Sequence, residues 1–156
     1  MRAAIACLLA AVLLAGCGGA PSPLAGERAA SGDADEAVVR AWADDLRRGD
    51  VDAATARFAV PALVSNGFPE VRLDTRAKVR AFNASLSCGG RVTQLFHHHG
   101  VLIATLMLTE RPGGHCEAGT GALAQTAFEV RDGHIVRWLR LPDPAPGPPP
   151  ASTTET

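Results

Sequence analysis

Residues 124–141 read AQTAFEVRDGHIVRWLRL, two runs of strand-forming residues around Asp132-Gly133. A type I′ turn needs positive φ at both central positions, and Asp-Gly supplies it at low steric cost. With that turn, a regular ladder sets Val130 opposite Ile135, Phe128 opposite Arg137, Thr126 opposite Leu139 and Ala124 opposite Leu141. Side chains alternate along a strand, so these residues share one face. The face is mostly apolar and is expected to lie on a core, with Arg137 as the charge it must accommodate. Gln125, Ala127, Glu129, Val136, Trp138 and Arg140 fall on the other face. There Trp138 and Arg140 are expected to meet a partner subunit or solvent.

The chain before this hairpin changes period once. Asp33 with Glu36 three residues later makes a capping box for a first helix, whose buried side carries Val38, Ala41, Trp42, Asp45 and Leu46. Gly49 ends that helix, and Asp50 caps a short second one with Val51, Ala54 and Phe58 inward. Short strands are expected at 62–64 and 71–73. A third helix starts from Asp74 or Thr75, buries Ala77, Val79, Ala81, Phe82 and Leu86, and stops at Cys88-Gly89-Gly90. From Arg91 the pattern is strand-like, with turns at His98-His99-Gly100 and Arg111-Pro112-Gly113-Gly114. Helices followed by a four-strand meander predict an α+β domain, its helices covering one face of a curved, mostly antiparallel sheet.

The ends belong to a different description. Arg2 precedes an apolar run, Ala3 to Ala15, too short to span a bilayer comfortably. It closes in Leu14-Ala15-Gly16-Cys17, which resembles the lipobox of bacterial lipoproteins. The resemblance implies a signal peptide over 1–16, acyl chains such as palmitate on Cys17, and anchoring at the extracytoplasmic face of the cell membrane. A flexible tether is expected over 17–32, the domain over 33–141 and a Pro-rich disordered tail over 142–156. Cys88 and Cys116 then remain in a compartment that permits disulfides, and a bridge between them is expected; two buried free thiols are the alternative. A formal net charge of −1 offers no basic field for nucleic acid.

Three segments carry a family resemblance. Leu46 to Ala53 with Phe58-Ala59 looks like the "G-D … A … F-A" passage between first helices, and Arg72 to Phe82 is similar to the entry into a third helix. Phe128 to Trp138 resembles a closing "D-G-K-I" hairpin. In this order they resemble the nuclear transport factor 2-like superfamily, which includes SnoaL-like polyketide cyclases and ketosteroid isomerases. The resemblance implies a cone-shaped, cystatin-like roll with a pocket between sheet and helices, often dimerising through the sheet. Ketosteroid isomerases use a tyrosine as oxyanion donor; this chain has 0 Tyr, which counts against that activity. Asp/His arrangements of the cyclase type stay open.

Within the implied cone, Trp42, Asp45, Phe82, His97, Phe128 and Arg137 are the candidate pocket residues. His97 shares a face with Leu95 and stands opposite Leu102, so with Asp45 it forms the available acid/base pair. Asp45 and Arg137 either orient a ligand or simply satisfy each other; the second is the simpler reading. His97-His98-His99 reads as a polar hairpin tip, because successive strand residues point to opposite faces, and no metal or cofactor is expected. Fold alone does not give function. The reading is therefore a membrane-anchored lipoprotein with a non-catalytic domain for a small apolar ligand or a protein partner. The alternatives are a SnoaL-like cyclase or isomerase using Asp45 and His97, and a structural dimerisation module.

Overall fold

Gly49 takes φ 79° where the first helix, α1 (Pro23–Arg47), gives way to α2 (Val51–Ala56). The left-handed residue lets the Asp50 N–H donate to the Asp45 carbonyl at 2.9 Å, a Schellman closure. A Cβ at Gly49 would also come within 2.8 Å of Pro112, so glycine is needed twice over. The Asp50 carboxylate then accepts from the Ala53 N–H at 2.9 Å and starts α2 as expected.

The computed structural model describes residues 23–142. The expected signal peptide over 1–16, the expected lipidation at Cys17 and the expected tail beyond Pro142 lie outside the described residues. Of the expected tether, the part from Pro23 onward is helical, and Asp33 lies inside α1 rather than capping it. The reason is composition: Ala25, Ala29, Ala30 and Ala34 are the best helix formers and outweigh roughly 1 kcal/mol each for Gly26 and Gly32.

Strand β1 (Phe58–Ser65) starts at Phe58, which therefore does not belong to α2. β2 (Val71–Leu73) follows, then α3 (Arg76–Ser85), capped by the Thr75 hydroxyl accepting from the Lys78 N–H at 3.2 Å. β3 (Gly89–His98), β4 (Val101–Thr109), β5 (Leu123–Arg131) and β6 (His134–Arg140) form the expected meander. Its two hairpin tips have positive φ at both central residues, His99-Gly100 and Asp132-Gly133. The six-stranded sheet runs β2-β1-β6-β5-β4-β3, and only β1 against β6 is parallel. The α+β class and the mostly antiparallel sheet are both present.

The last hairpin departs from the regular ladder. Val130 does pair with Ile135, but Glu129 pairs with Arg137 and Phe128 with Trp138. Val136 is an extra residue on β6, a bulge that reverses the facing of everything after it. Trp138 is consequently buried and Arg137 is turned outward, the opposite of the regular-ladder expectation. Burial of a large indole in place of a guanidinium explains why the bulged register wins.

The helices cover one face of the sheet. Val39, Trp42 and Leu46 of α1 and Val79 of α3 pack on Phe58, Leu102, Ala104, Phe128, Ile135 and Trp138. Trp42 is the hub: its ring centroid lies 5.4 Å from Phe128, 6.5 Å from Phe58 and 6.3 Å from Trp138, all edge-on. Such pairs add roughly 0.5–1.5 kcal/mol beyond area burial. The Trp42 Nε1–H donates to Asn83 Oδ1 at 2.9 Å, and Asn83 Nδ2 donates to the Val79 carbonyl, so a fully buried amide is satisfied. The expected Cys88–Cys116 disulfide is present, with Cα atoms 4.5 Å apart.

Candidate functional site

Small residues leave a gap where α1 crosses the sheet. Ala43 on the helix and Ala124 on β5 lie under larger neighbours, and Gly89 and Gly90 open β3. A Cβ at Gly90 would sit 2.9 Å from Leu106 Cδ2. The result is a cavity of about 260 Å³. Its buried floor is Trp42, Leu46, Leu106, Thr126 and Trp138, and its rim carries Asn66, Ser85, Ser87 and Arg140. Arg140 faces inward because the Val136 bulge puts it beside Thr126 on the same side as Trp138.

The wall from Ser85 to Gly90 is held from behind. Arg111 is 5 % exposed, and its guanidinium donates to the Leu86 carbonyl at 2.8 and 2.6 Å and to that of Ala84 at 3.0 Å. Those carbonyls belong to the last turn of α3 and its C-cap, where intrahelical partners have run out. Burial pushes the Arg111 pKa below its ordinary value, and no carboxylate faces it among the described residues. The disulfide ties the same wall to the β4–β5 loop.

The residues marked from sequence are scattered. Trp42 lines the cavity; Phe82 and Phe128 pack behind Trp138 and Trp42. Asp45 is 3 % exposed and is held by Arg48 Nη2 at 2.6 Å and Arg57 Nε at 2.9 Å, at the α1–α2–β1 corner. It does not pair with Arg137. Arg137 donates to Glu70 at 2.6 Å and Glu129 at 3.1 Å on the outer face, and Glu70 first, then Glu129, raise its pKa.

His97 is opposite Leu102 as expected, yet it is exposed and sits beside Gly32, whose Cβ would lie 3.3 Å from its Nε2. Burial pushes the nearby Asp35 carboxyl above its ordinary value, and the His97 imidazole offsets part of that shift. Gly32 and Asp45 are about 20 Å apart along α1 at about 1.5 Å per residue. His97 and Asp45 therefore do not converge.

Trp138, Arg140, Thr126 and Asn66 were not marked from sequence. One signal pointed to the first two: a regular ladder left Trp138 outward and Arg137 inward, and a single-residue bulge repairs both.

No family model matches the sequence, and no curated protein matches it. Solved structures do resemble the fold. One is a nuclear transport factor 2-like protein of unknown function from Cytophaga hutchinsonii, with TM-score 0.55 and 12% identity over 70% of this chain and 90% of that one. A candidate ketosteroid isomerase from Kribbella flavida gives 0.52 and 19% over 80% and 90%. A candidate polyketide cyclase from Sinorhizobium meliloti gives 0.52 and 17% over 67% and 93%. The domain has the nuclear transport factor 2-like fold.

Proposed function

We propose that this chain is an extracytoplasmic lipoprotein, held at the membrane through lipid on Cys17, whose domain binds a small molecule without transforming it. One observation carries the binding reading. Among the described residues that line the cavity there is no carboxylate, imidazole, lysine or phenol, while two indoles and several aliphatic side chains supply contact area. General acid–base chemistry needs a proton carrier within hydrogen-bond reach of the reacting group. The anchor rests on the order of Arg2, the apolar run and Leu14-Ala15-Gly16-Cys17.

The names of the structural neighbours favour a second reading, a cyclase- or isomerase-type enzyme. It would require His97 and Asp45 to act on one molecule across about 20 Å of helix. Self-association through the sheet is a further proposal. Phe96, Ile103, Ala127 and Leu139 stand in one cross-strand row on the outer face, and Phe96 is 43% exposed.

Native mass spectrometry of the protein purified from membranes tests the binding reading. A co-purified small molecule of fixed mass is expected, retained in His97→Ala and Asp45→Asn and lost in Ala43→Phe, which fills the cavity. Conversion of that molecule, abolished by either acid/base variant, would establish the enzyme instead. Cys17→Ser is expected to move the chain from the membrane pellet to the soluble fraction; retention in the pellet would sink the anchor.

A further inference from the structure

Trp138 lines the cavity with a buried indole whose Nε1–H has no hydrogen-bond partner among the described residues. Trp42 differs: its Nε1–H donates to Asn83 Oδ1 at 2.9 Å. The Val136 bulge brought the Trp138 ring against Phe82 and Trp42, with centroids 5.1 and 6.3 Å away, but brought no acceptor to its N–H. A buried donor left unpaired has lost its hydration and gained nothing in its place, so pairing it favours whatever supplies the acceptor. Thr126, its diagonal neighbour across β5 and β6, adds a hydroxyl on the same floor.

The rest of the lining disfavours charge. Ala43, Leu46, Leu106, Ala124 and the two indoles are apolar. The Arg140 guanidinium at the rim already has an interaction partner. An ion seated here would lose its water and meet no free countercharge among the described lining residues, which costs far more than burying a neutral dipole. Volume sets the size. An apolar cavity of about 150 Å³ takes one benzene ring. At about 260 Å³ this one suits a body of one or two rings, and it falls short of the pockets of about 300 Å³ and above that hold drug-sized ligands. We propose that the cavity selects uncharged, flat molecules of one or two rings that carry a hydrogen-bond acceptor, such as a cyclic ketone or lactone, with that acceptor on the Trp138 N–H. Selection of this kind rests on the cavity being the binding site.

The full-length, oxidised protein in detergent is dialysed against 1-indanone, indane, 1-aminoindane and indane-1-carboxylate, one skeleton with an acceptor, without one, and with a charge of either sign. On free-ligand concentration, 1-indanone is expected to bind about tenfold more tightly than indane, and both ions more weakly than either. Progesterone, a four-ring ketone, is expected not to bind. The two tryptophans give two indole N–H resonances in a nitrogen-labelled sample. 1-Indanone is expected to move that of Trp138 downfield, and indane is not. Trp138→Phe keeps an aromatic ring, assigns the resonance, and is expected to bring the ketone within about twofold of the hydrocarbon. Equal binding of 1-indanone and indane, or a Trp138 resonance that responds alike to both, overturns acceptor selection and leaves the cavity a binding site. Progesterone binding as tightly as 1-indanone overturns the size limit, and an ion binding as tightly overturns the preference for neutral molecules. Binding of none of the five overturns both the selection and the binding reading.

Discussion

Trp138 stands edge-on to Trp42 with ring centroids 6.3 Å apart and planes inclined by 65°. This contact joins the first helix to the last strand and forms the cavity floor. It exists because Val136 is looped out as a bulge, which exchanges Trp138 for Arg137 on the inner face.

The exchange makes a paired prediction. Trp138→Ala removes a core indole and is expected to cost about 3–5 kcal/mol. Arg137→Ala breaks only surface ion pairs, its side chain being 39% exposed, and is expected to cost less than about 1 kcal/mol. Urea denaturation of both variants measures the difference. A regular ladder would give the reverse order.

The disulfide holds the cavity wall as well as the fold. Reduction is expected to lower stability by roughly 2–4 kcal/mol, and Cys88→Ala/Cys116→Ala is expected to match it. Because Cys88 itself lines the cavity, ligand affinity is expected to fall in the same variant. Mass spectrometry after alkylation checks the bridge: two modified thiols without prior reduction would mean it does not form.

Glu110 organises the loop that carries Cys116. The Cys116 N–H first, then the Thr120 hydroxyl, hold its carboxyl below the ordinary glutamate value, and the Glu117 N–H adds to this. A depressed folded pKa means the stabilisation is full above the ordinary value and disappears as pH falls through the lower, folded one. The loop is therefore expected to loosen in acid. Hydrogen exchange at the Cys116 and Glu117 amides is expected to quicken as pH drops below the ordinary glutamate range, beyond the intrinsic pH dependence of exchange. Glu110→Gln is expected to exchange faster at neutral pH and to lack that additional acid transition.

For the binding site, the two-residue alternation assigned the wrong member of the Arg137-Trp138 pair to the interior. The helical spacing places Asp45 on the inner side of α1, where it is buried, but its partners are Arg48 just past α1 and Arg57 at the end of α2 rather than a residue of the hairpin. Arg57 reaches it only because α2 is short and turns the chain back at Arg57. His97 was assigned its correct strand partner, Leu102, but the level of α1 that passes over it was not readable.

What the residues determined unaided was local: positive φ at Asp132-Gly133, a turn around His98-His99-Gly100, the Gly49-Asp50 break, a third-helix start at Asp74 or Thr75 and the helix-then-meander order. Each depends on groups a few residues apart, where covalent geometry restricts the options. The Val136 bulge, the parallel β1–β6 pairing, the Arg111 brace behind α3 and the cavity were decided only in three dimensions. They depend on which groups from distant segments compete for burial. A strand accepts one looped-out residue when that trades an inward guanidinium for an indole packed against Trp42.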